Sequence, residues 1–413
     1  MFQKKFFVYS DTCPRRRLDA SRISDYLIKN NYKKVNNPKI SDLIIYVTCG
    51  FSDETANHAF KKIKDFKKYD AELIIAGCLP EIEKETLENI FSGKKISTKE
   101  LNKIDTLFPD NKIKFNKIEY NNLVWENIDE SHVFGILNKS KVLSNLTKKL
   151  IDHILKNLLG ENSPFYNSLI GESYLIMVSR GCFGNCSYCA IKKAIGPLKS
   201  KSMEECINEF KRGLSKGYKK MYLVGDDLGA YGADCGFTFP ELLSKIVDID
   251  GEYGLFIMDL NPRWFVKYYK EIKEILQKGK VELLLIPIQS GSSRILDKMN
   301  RYSDIDKLKK CLIDLKNTFP KIVLVTHIMV GFPNETEGDF KESLEFVSEV
   351  GFNTGLLIPF SSKSGTKAAD IEPKTSKKDI NKRLIYAKKF LRNMNYNVIY
   401  IKKPRYFFIF DRE

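Results

Sequence analysis

Short apolar runs alternate with amphipathic stretches along most of this chain, and that alternation constrains the fold more than any other feature. From Ser173 to about residue 360 the runs are Tyr174-Leu175-Ile176-Met177-Val178, Met221-Tyr222-Leu223-Val224, Gly254-Leu255-Phe256-Ile257, Leu283-Leu284-Leu285-Ile286-Pro287, Ile322-Val323-Leu324-Val325-Thr326 and Thr354-Gly355-Leu356-Leu357-Ile358. Continuous apolar runs of this length read as parallel strands buried on both faces. Repeated strand-helix units predict a partial (β/α)6 barrel with its active site at the C-terminal strand ends. Upstream, Phe6-Phe7-Val8-Tyr9, Leu43-Ile44-Ile45-Tyr46-Val47 and Leu73-Ile74-Ile75-Ala76 read as strands, with helices over 18–31, 53–68 and 80–91. They predict a separate open parallel α/β sheet, whose ligands also belong at the carboxyl ends of the strands.

The first barrel strand runs into Gly181-Cys182-Phe183-Gly184-Asn185-Cys186-Ser187-Tyr188-Cys189, a C-x3-C-x2-C spacing. Three thiolates on one short loop call for a soft metal or a cluster. A structural zinc wants four tetrahedral ligands, and no fourth Cys or His lies close: the next cysteine is Cys206, and the chain has 4 histidines. Four irons held by three thiolates keep one iron open, as a catalytic cluster requires. A zinc knuckle completed by a distant residue and three structural thiols are the alternatives. In the upstream sheet each strand is followed within a few residues by a cysteine: Cys13, Cys49 and Cys78. Parallel strands bring those positions to one edge, so the pattern predicts a second three-thiolate site; three half-buried core cysteines would give the same spacing. Cys206, Cys235 and Cys311 have no partners at ligand spacing and read as structural.

Net charge of +16 and a sequence pI of about 9.2 favour polyanions or acidic partners, although much of the surplus is helical lysine (Lys61, Lys62, Lys64, Lys67, Lys68) of the kind that forms a solvated face. The 9 cysteines lack paired spacing and suit a reducing interior. The N-terminus reads as a first strand and not a signal peptide, and no apolar stretch is long enough for a membrane span. These features place the protein in the cytoplasm, with no membrane partner. Residues 92–165 are rich in Lys and Asn; Trp125 and His132 read there as packing or surface residues. Val142 to Leu159 has helical periodicity and ends at Gly160-Glu161-Asn162-Ser163-Pro164.

The cysteine loop, with Tyr188 before its last cysteine, resembles the signature of the radical SAM superfamily. The wider chain, roughly 5–90 and 170–395, is similar to the methylthiotransferase branch of those enzymes. Thr48-Cys49 and Gly77-Cys78 match that family's second and third cluster motifs. Cys13 with Asp19 matches the first loosely, since Thr12 and Arg16 stand where Gly and Asn are usual. The resemblance implies two [4Fe-4S] clusters and S-adenosyl-L-methionine (SAM) as cofactors. Cys182, Cys186 and Cys189 would hold the catalytic cluster, and Cys13, Cys49 and Cys78 the auxiliary one. It implies cofactor-binding roles for Tyr188, for Gly225, Asp226 and Asp227 at the SAM amino group, and for Gln289 and Ser290 at polar SAM groups. Gly331, Phe332 and Pro333 would back the adenine, with Phe332 as its wall. The physical reading agrees at the second strand tip, where a carboxylate pairs with an ammonium and glycine lets backbone come close. Asp297, Met299-Asn300-Arg301 and Ser364-Gly365-Thr366 also fit the pattern, Arg301 reading either as an anion clamp or as a surface ion pair. Lys199, Lys201 and Ile195 fall where arginines are frequent.

The expected organisation is α/β: an N-terminal methylthiotransferase domain over 1–125, a helical linker over 126–168, a radical SAM partial barrel over 169–370, and a helix with a short strand tail over 371–413. Tyr396 to Phe410 can supply about two strands, too few for the appended β-barrel with which tRNA-modifying members grip substrate. The mechanism the resemblance implies is hydrogen removal from an unactivated carbon by a 5'-deoxyadenosyl radical, followed by transfer of a methylthio group built on the auxiliary cluster. The expected substrate is a peptide or protein side chain; an adenosine in the tRNA anticodon loop is the competing one. A flavodoxin or ferredoxin would supply electrons. A noncatalytic iron-sulfur protein is the alternative from another class, and the intact strand-end motifs argue against it.

Overall fold

The computed structural model describes residues 3–123, 173–401 and 407–412. The expected linker over 126–168, with Trp125, His132 and the helix over Val142 to Leu159, lies outside them. So do Lys402, Lys403 and Arg405, which make one of the two expected tail strands basic. The chain divides into two compact units, Met1–Gly135 with Ala190–Pro197, and Ile136–Cys189 with Leu198–Glu413.

The first unit contains β1 (Lys5–Ser10), α1 (Pro14–Lys29), β2 (Lys33–Lys34), β3 (Leu43–Thr48), α2 (Asp53–Phe66), β4 (Glu72–Gly77), α3 (Leu79–Ile82), α4 (Lys84–Ile90), β5 (Lys95–Ser97) and α5 (Ile191–Ile195). Its sheet is parallel throughout, in the order β2-β1-β3-β4-β5. Alternate residues of β1 serve two cores. Phe6 and Val8 pack with Ile23, Tyr26, Leu43 and Ile45, whereas Phe7 and Tyr9 pack with Ile44, Tyr46, Ile63 and Phe66. Burial on both faces is why these strands read as unbroken apolar runs. The first helix begins earlier than its periodicity suggests, because Pro14 suits the first turn directly after Cys13. The stretch expected as one helix over 80–91 is two, broken at Glu83, where φ is −121° and ψ 41°. Beyond β5, Leu101, Ile104, Phe108 and Phe115 close the first of the two cores.

The second unit contains β6 (Ser173–Arg180), β7 (Lys199–Ser200), α6 (Met203–Ser215), β8 (Lys220–Gly225), α7 (Phe239–Val247), β9 (Gly254–Ile257), α8 (Pro262–Lys267), α9 (Tyr269–Leu276), β10 (Val281–Leu285), α10 (Ser293–Lys298), α11 (Ile305–Thr318), β11 (Val323–Val330), α12 (Glu337–Val350), β12 (Thr354–Pro359), α13 (Lys377–Asn393), β13 (Asn397–Ile401) and β14 (Phe407–Asp411). The six expected strands run parallel and adjacent as β6-β8-β9-β10-β11-β12, the layout of a (β/α)6 partial barrel. Antiparallel β7 borders β6. At the other edge β14 pairs antiparallel with β12 and β13 with β14, so the tail strands extend the barrel sheet.

One glycine is required at a strand end. Gly77 has φ +100°, and a Cβ there would lie 2.4 Å from the Thr48 carbonyl oxygen. Gly77→Ala is expected to destabilise the first unit by about 1–3 kcal/mol, the usual scale for a strained left-handed residue. Urea unfolding followed by tyrosine fluorescence checks this, with Gly338→Ala as the control, since that position has no left-handed φ and its Cβ would meet only Thr336 Oγ1, at 3.6 Å.

Candidate active site

In the second unit the loop after β6 carries Cys182, Cys186 and Cys189, all half-buried. The Gly184 amide donates to the Cys182 Sγ at 3.2 Å, and Arg301 Nη1 stands 3.7 Å from the Cys186 Sγ. Arg301 is therefore no surface ion pair: it also donates to the Pro287 carbonyl at 2.6 Å, and its Nε is buried without a hydrogen-bond partner. The tip of β8 faces the same loop. Asp226 Oδ2 accepts from the Gly181 amide at 3.0 Å. Asp227 is buried; its Oδ1 accepts from Trp264 Nε1 at 3.1 Å, and its Oδ2 accepts from the Gly184 amide at 3.3 Å. Burial, and next the Asp227 charge, push the Cys182 thiol up. A thiol held protonated in this way gives up its proton when metal binds.

The other strand ends converge differently. Gln289 follows β10 in a left-handed conformation, φ +71°, and its backbone bonds to β11. The Ser290 hydroxyl is fully enclosed, 3.2 Å from Ser343 Oγ. Phe332 is also fully enclosed among Ile295, Leu296, Met299 and Met329. Its ring lies edge-on to Tyr188, 6.5 Å between centroids, so it packs behind Tyr188. Gly331 and Pro333 are buried beside it.

Sequence reasoning missed the groups that hold these loops. Asp339 in the first turn of α12 accepts from the Ser292 hydroxyl at 2.6 Å and the Thr336 amide at 2.7 Å, and pairs with Arg294. Burial works against its charge, yet Arg294, Ser292 and Thr336 hold the carboxyl well below the usual range. Trp264, which anchors Asp227, was equally unmarked. An acidic residue three after Thr336 is a capping signal, but its reach to Ser292 and Arg294 is not local.

In the first unit, Cys13 is half-buried while Cys49 and Cys78 are 8% and 4% exposed. Cys13 caps α1, and Cys49 and Cys78 each follow the register pair Thr48–Gly77. Burial pushes the Cys78 thiol up to about 12, Arg16 opposes it, and Cys49 and Cys13 add to it. Arg16 is 2% exposed and lies 3.3 Å from Asp19. Asp11 accepts from the Tyr46 hydroxyl at 3.0 Å and lies 3.1 Å from His58 Nε2.

No three His, Cys, Asp or Glu side chains among the described residues converge as the ligand set of a single ion. A cubane asks for less, because each thiolate binds its own iron. Three thiols at a strand edge, with Arg301 or Arg16 as a cation beside them, fit such a cluster, whose thiolate-bearing form is anionic.

Residues 176–347 match the Radical SAM superfamily, and residues 5–97 match Uncharacterized protein family UPF0004. The fold and these matches define a radical SAM enzyme. Among solved structures, the chain superimposes on the radical S-adenosylmethionine methyltransferase TsrM from Kitasatospora setae with TM-score 0.60 at 10% identity, covering 99% of this chain and 86% of that one, a likeness of fold. It is 30% identical to the probable threonylcarbamoyladenosine tRNA methylthiotransferase of Archaeoglobus fulgidus, over 83% of this chain and 74% of the relative. It is 30% identical to the ribosomal protein uS12 methylthiotransferase RimO of Carboxydothermus hydrogenoformans, over 92% and 80%. A tRNA-2-methylthio-N(6)-dimethylallyladenosine synthase of Clostridium botulinum matches at 29%, over 89% and 77%. The chain belongs to the radical SAM methylthiotransferases, enzymes that use SAM and [4Fe-4S] clusters.

Asp339→Asn removes a charge that several donors serve and is expected to cost about 2 kcal/mol at pH 7, on the scale of hydrogen bonds to charged groups. A depressed carboxyl pKa stabilises the fold above the unfolded value of about 3.9 and loses that contribution as pH falls. Urea midpoints of the wild type and variant should therefore differ by a constant amount from pH 8 to 5 and approach each other below about pH 4.

Proposed function

We propose that Cys182, Cys186 and Cys189 hold the cluster that binds SAM, and that Cys13, Cys49 and Cys78 hold the auxiliary cluster. The observation that carries this reading is that each triad lies at the carboxyl edge of a parallel sheet beside an arginine charge: Arg301 lies 3.7 Å from Cys186, and Arg16 acts electrostatically on Cys78. When bound, these cofactors supply the radical that removes hydrogen from an unactivated carbon and the methylthio group that replaces it. The chain binds and orients them. Asp227, fixed by Trp264, offers a carboxylate to the ammonium of SAM; Asp226 fixes the turn into the cysteine loop. Gly225 lets the backbone approach. Gln289 supplies polar contacts, Ser290 holds the turn that follows it, and Gly331, Phe332 and Pro333 form the support behind Tyr188.

For the substrate we favour an adenosine in RNA. Phe183, 57% exposed in the cysteine loop, meets Trp264 edge-on at 5.9 Å. Both line a small cavity with Cys186, Asp227, Arg263 and Arg301. An exposed ring beside a guanidinium suits a flat base, and the +16 charge suits its phosphates. A protein side chain is the second reading, favoured by the likeness to uS12 methylthiotransferases. The working compartment is the cytoplasm, with a flavodoxin or ferredoxin as reductant; no helix among the described residues is long and apolar enough to cross a membrane.

Anaerobic reconstitution tests the cluster assignment. The wild type should bind about eight irons, and the variant with Cys13, Cys49 and Cys78 changed to Ala about four, following two-cubane arithmetic. About four in both would remove the auxiliary cluster and methylthio transfer with it. The substrate is tested by mass spectrometry of tRNA and of a uS12 peptide after turnover. Phe183→Ser should lower RNA modification about tenfold, the scale of one lost base stack, and leave 5'-deoxyadenosine formation without RNA near its original rate. Modification of the peptide alone would overturn the RNA reading.

A further inference from the structure

The motif Gly331-Phe332-Pro333 is held from outside the barrel strands. The Glu335 side chain is fully buried, and its Oε2 accepts from the Gly331 amide at 2.7 Å. The same oxygen accepts from Arg383 Nη1 on α13 at 2.5 Å, and Arg383 Nη2 donates to the Glu335 carbonyl at 2.8 Å. Arg383 is itself buried, 8% exposed. The helix also lies directly against the turn. Gly331 has φ +86°, and a Cβ there would stand 2.3 Å from Ile380 Cγ1. Two further bonds reach the turn from the segment before α13: Asn334 donates its amide to the Pro373 carbonyl at 2.7 Å, and the Thr375 hydroxyl donates to the Phe332 carbonyl at 3.2 Å.

We infer that Arg383 is a positioning residue of this enzyme: through Glu335 it locks the Gly331–Pro333 turn in the shape that SAM binding requires. The inference rests on the assignment of that turn to the SAM site. A buried ion pair contributes little net stability compared with apolar packing of the same volume, but it fixes geometry because either partner alone is strongly disfavoured. Here the geometry it fixes is one backbone N–H at a left-handed glycine, joined to a helix about fifty residues downstream in the chain. Phe332 of that turn packs edge-on against Tyr188, so a turn that loosens displaces the ring next to the cysteine loop.

The carboxyl provides a specific readout. Burial pushes Glu335 up to about 7, against the Gly331 amide and Arg383, and its Oε1 has no hydrogen-bond partner. The charged groups around it are Arg383 and, farther off, Asp339, Glu337 and Arg294. Removing Arg383 leaves the carboxyl tolerable only when protonated, so the damage should grow as pH rises.

The experiment compares wild type, Arg383→Met, Arg383→Lys, Glu335→Gln and the Arg383→Met/Glu335→Gln double variant. Each is reconstituted and assayed for 5'-deoxyadenosine formation against SAM concentration from pH 6.5 to 8.5. Arg383→Met should raise the KM for SAM about tenfold with kcat and iron content near wild type, and the KM should climb with pH. Lysine should restore part of the affinity, and the double variant should lose the pH slope. Hydrogen exchange of the peptide over 330–336, read in the protein before reconstitution, should quicken in Arg383→Met while exchange over 254–257 stays unchanged. Were Arg383→Met too unstable to purify, Glu335→Gln carries the same test, with a raised KM that does not vary with pH. A KM within twofold of wild type and flat with pH, in either variant, overturns the inference. A wild type that makes no 5'-deoxyadenosine removes the SAM assignment itself, a separate failure that the exchange measurement distinguishes.

Discussion

The parallel β-ladder is the constraint on which the rest of this protein depends. Each parallel pair needs a return connection across a face of the sheet, and that connection brings every strand end to the same edge. In the first unit the register sets Ser10 opposite Val47 and Thr48 opposite Gly77. Cys49 and Cys78 are the next residues after a paired position, and Cys13 follows three residues beyond Ser10. Thiols 36 and 29 residues apart in sequence thus share one edge without any local pattern joining them. The Cys78 amide donates to the Thr48 carbonyl at 3.0 Å, which ties the second of these strand ends to the third. The same logic in the second unit puts the cysteine loop, the Asp226-Asp227 tip and the turns after β10 and β11 along one rim.

Long apolar runs made the strands readable, and amphipathic periodicity the helix over 53–68, whose start the capping box at Ser52 fixes in the structure. The two-residue strands β2 and β7 carry no periodicity, because their membership in the sheet comes from the neighbour and not from their own side chains. The region after β5 folds as turns of 3-10 helix whose apolar residues close a core, a use that spacing does not announce. The candidate site was legible where one short segment carries the chemistry, as at Cys182 to Cys189. It was not legible where the partner lies far along the chain: Trp264 with Asp227, Asp339 with Ser292, Arg383 with Glu335. One of these left a trace. Arg383 sits in the buried stripe Ile380, Leu384, Ala387 and Leu391, and an arginine on the apolar face of a helix implies a buried anion.

Ser290 and Phe332 show a related limit. Both belong to strand-end turns of the expected kind, and both point into packing. A motif identifies a turn; it does not say which of its side chains faces the open side. Gln289 is the half-buried residue beside enclosed Ser290, while the enclosed Phe332 ring supports Tyr188 from behind.

The placement of charge follows from the same division between strand and strand end. Along the strands nearly every side chain is apolar and packing alone suffices. At the rim, apolar packing is not specific enough to hold a left-handed residue or a loop amide in one orientation, and polar side chains take over. Asp226, Asp227, Glu335 and Asp339 each accept from a backbone amide of a loop that the sheet leaves unpaired. Taking Asp227, Asp339 and Glu335 out of water is costly, and each cost is met by a donor from a different element: Trp264, Arg294 and Arg383 respectively. The rim is therefore cross-linked by ionic and hydrogen-bonded contacts whose partners span the barrel sequence. Loss of any one donor leaves a buried charge, not merely a missing contact, and so acts on loop geometry more than on the apolar core beneath it.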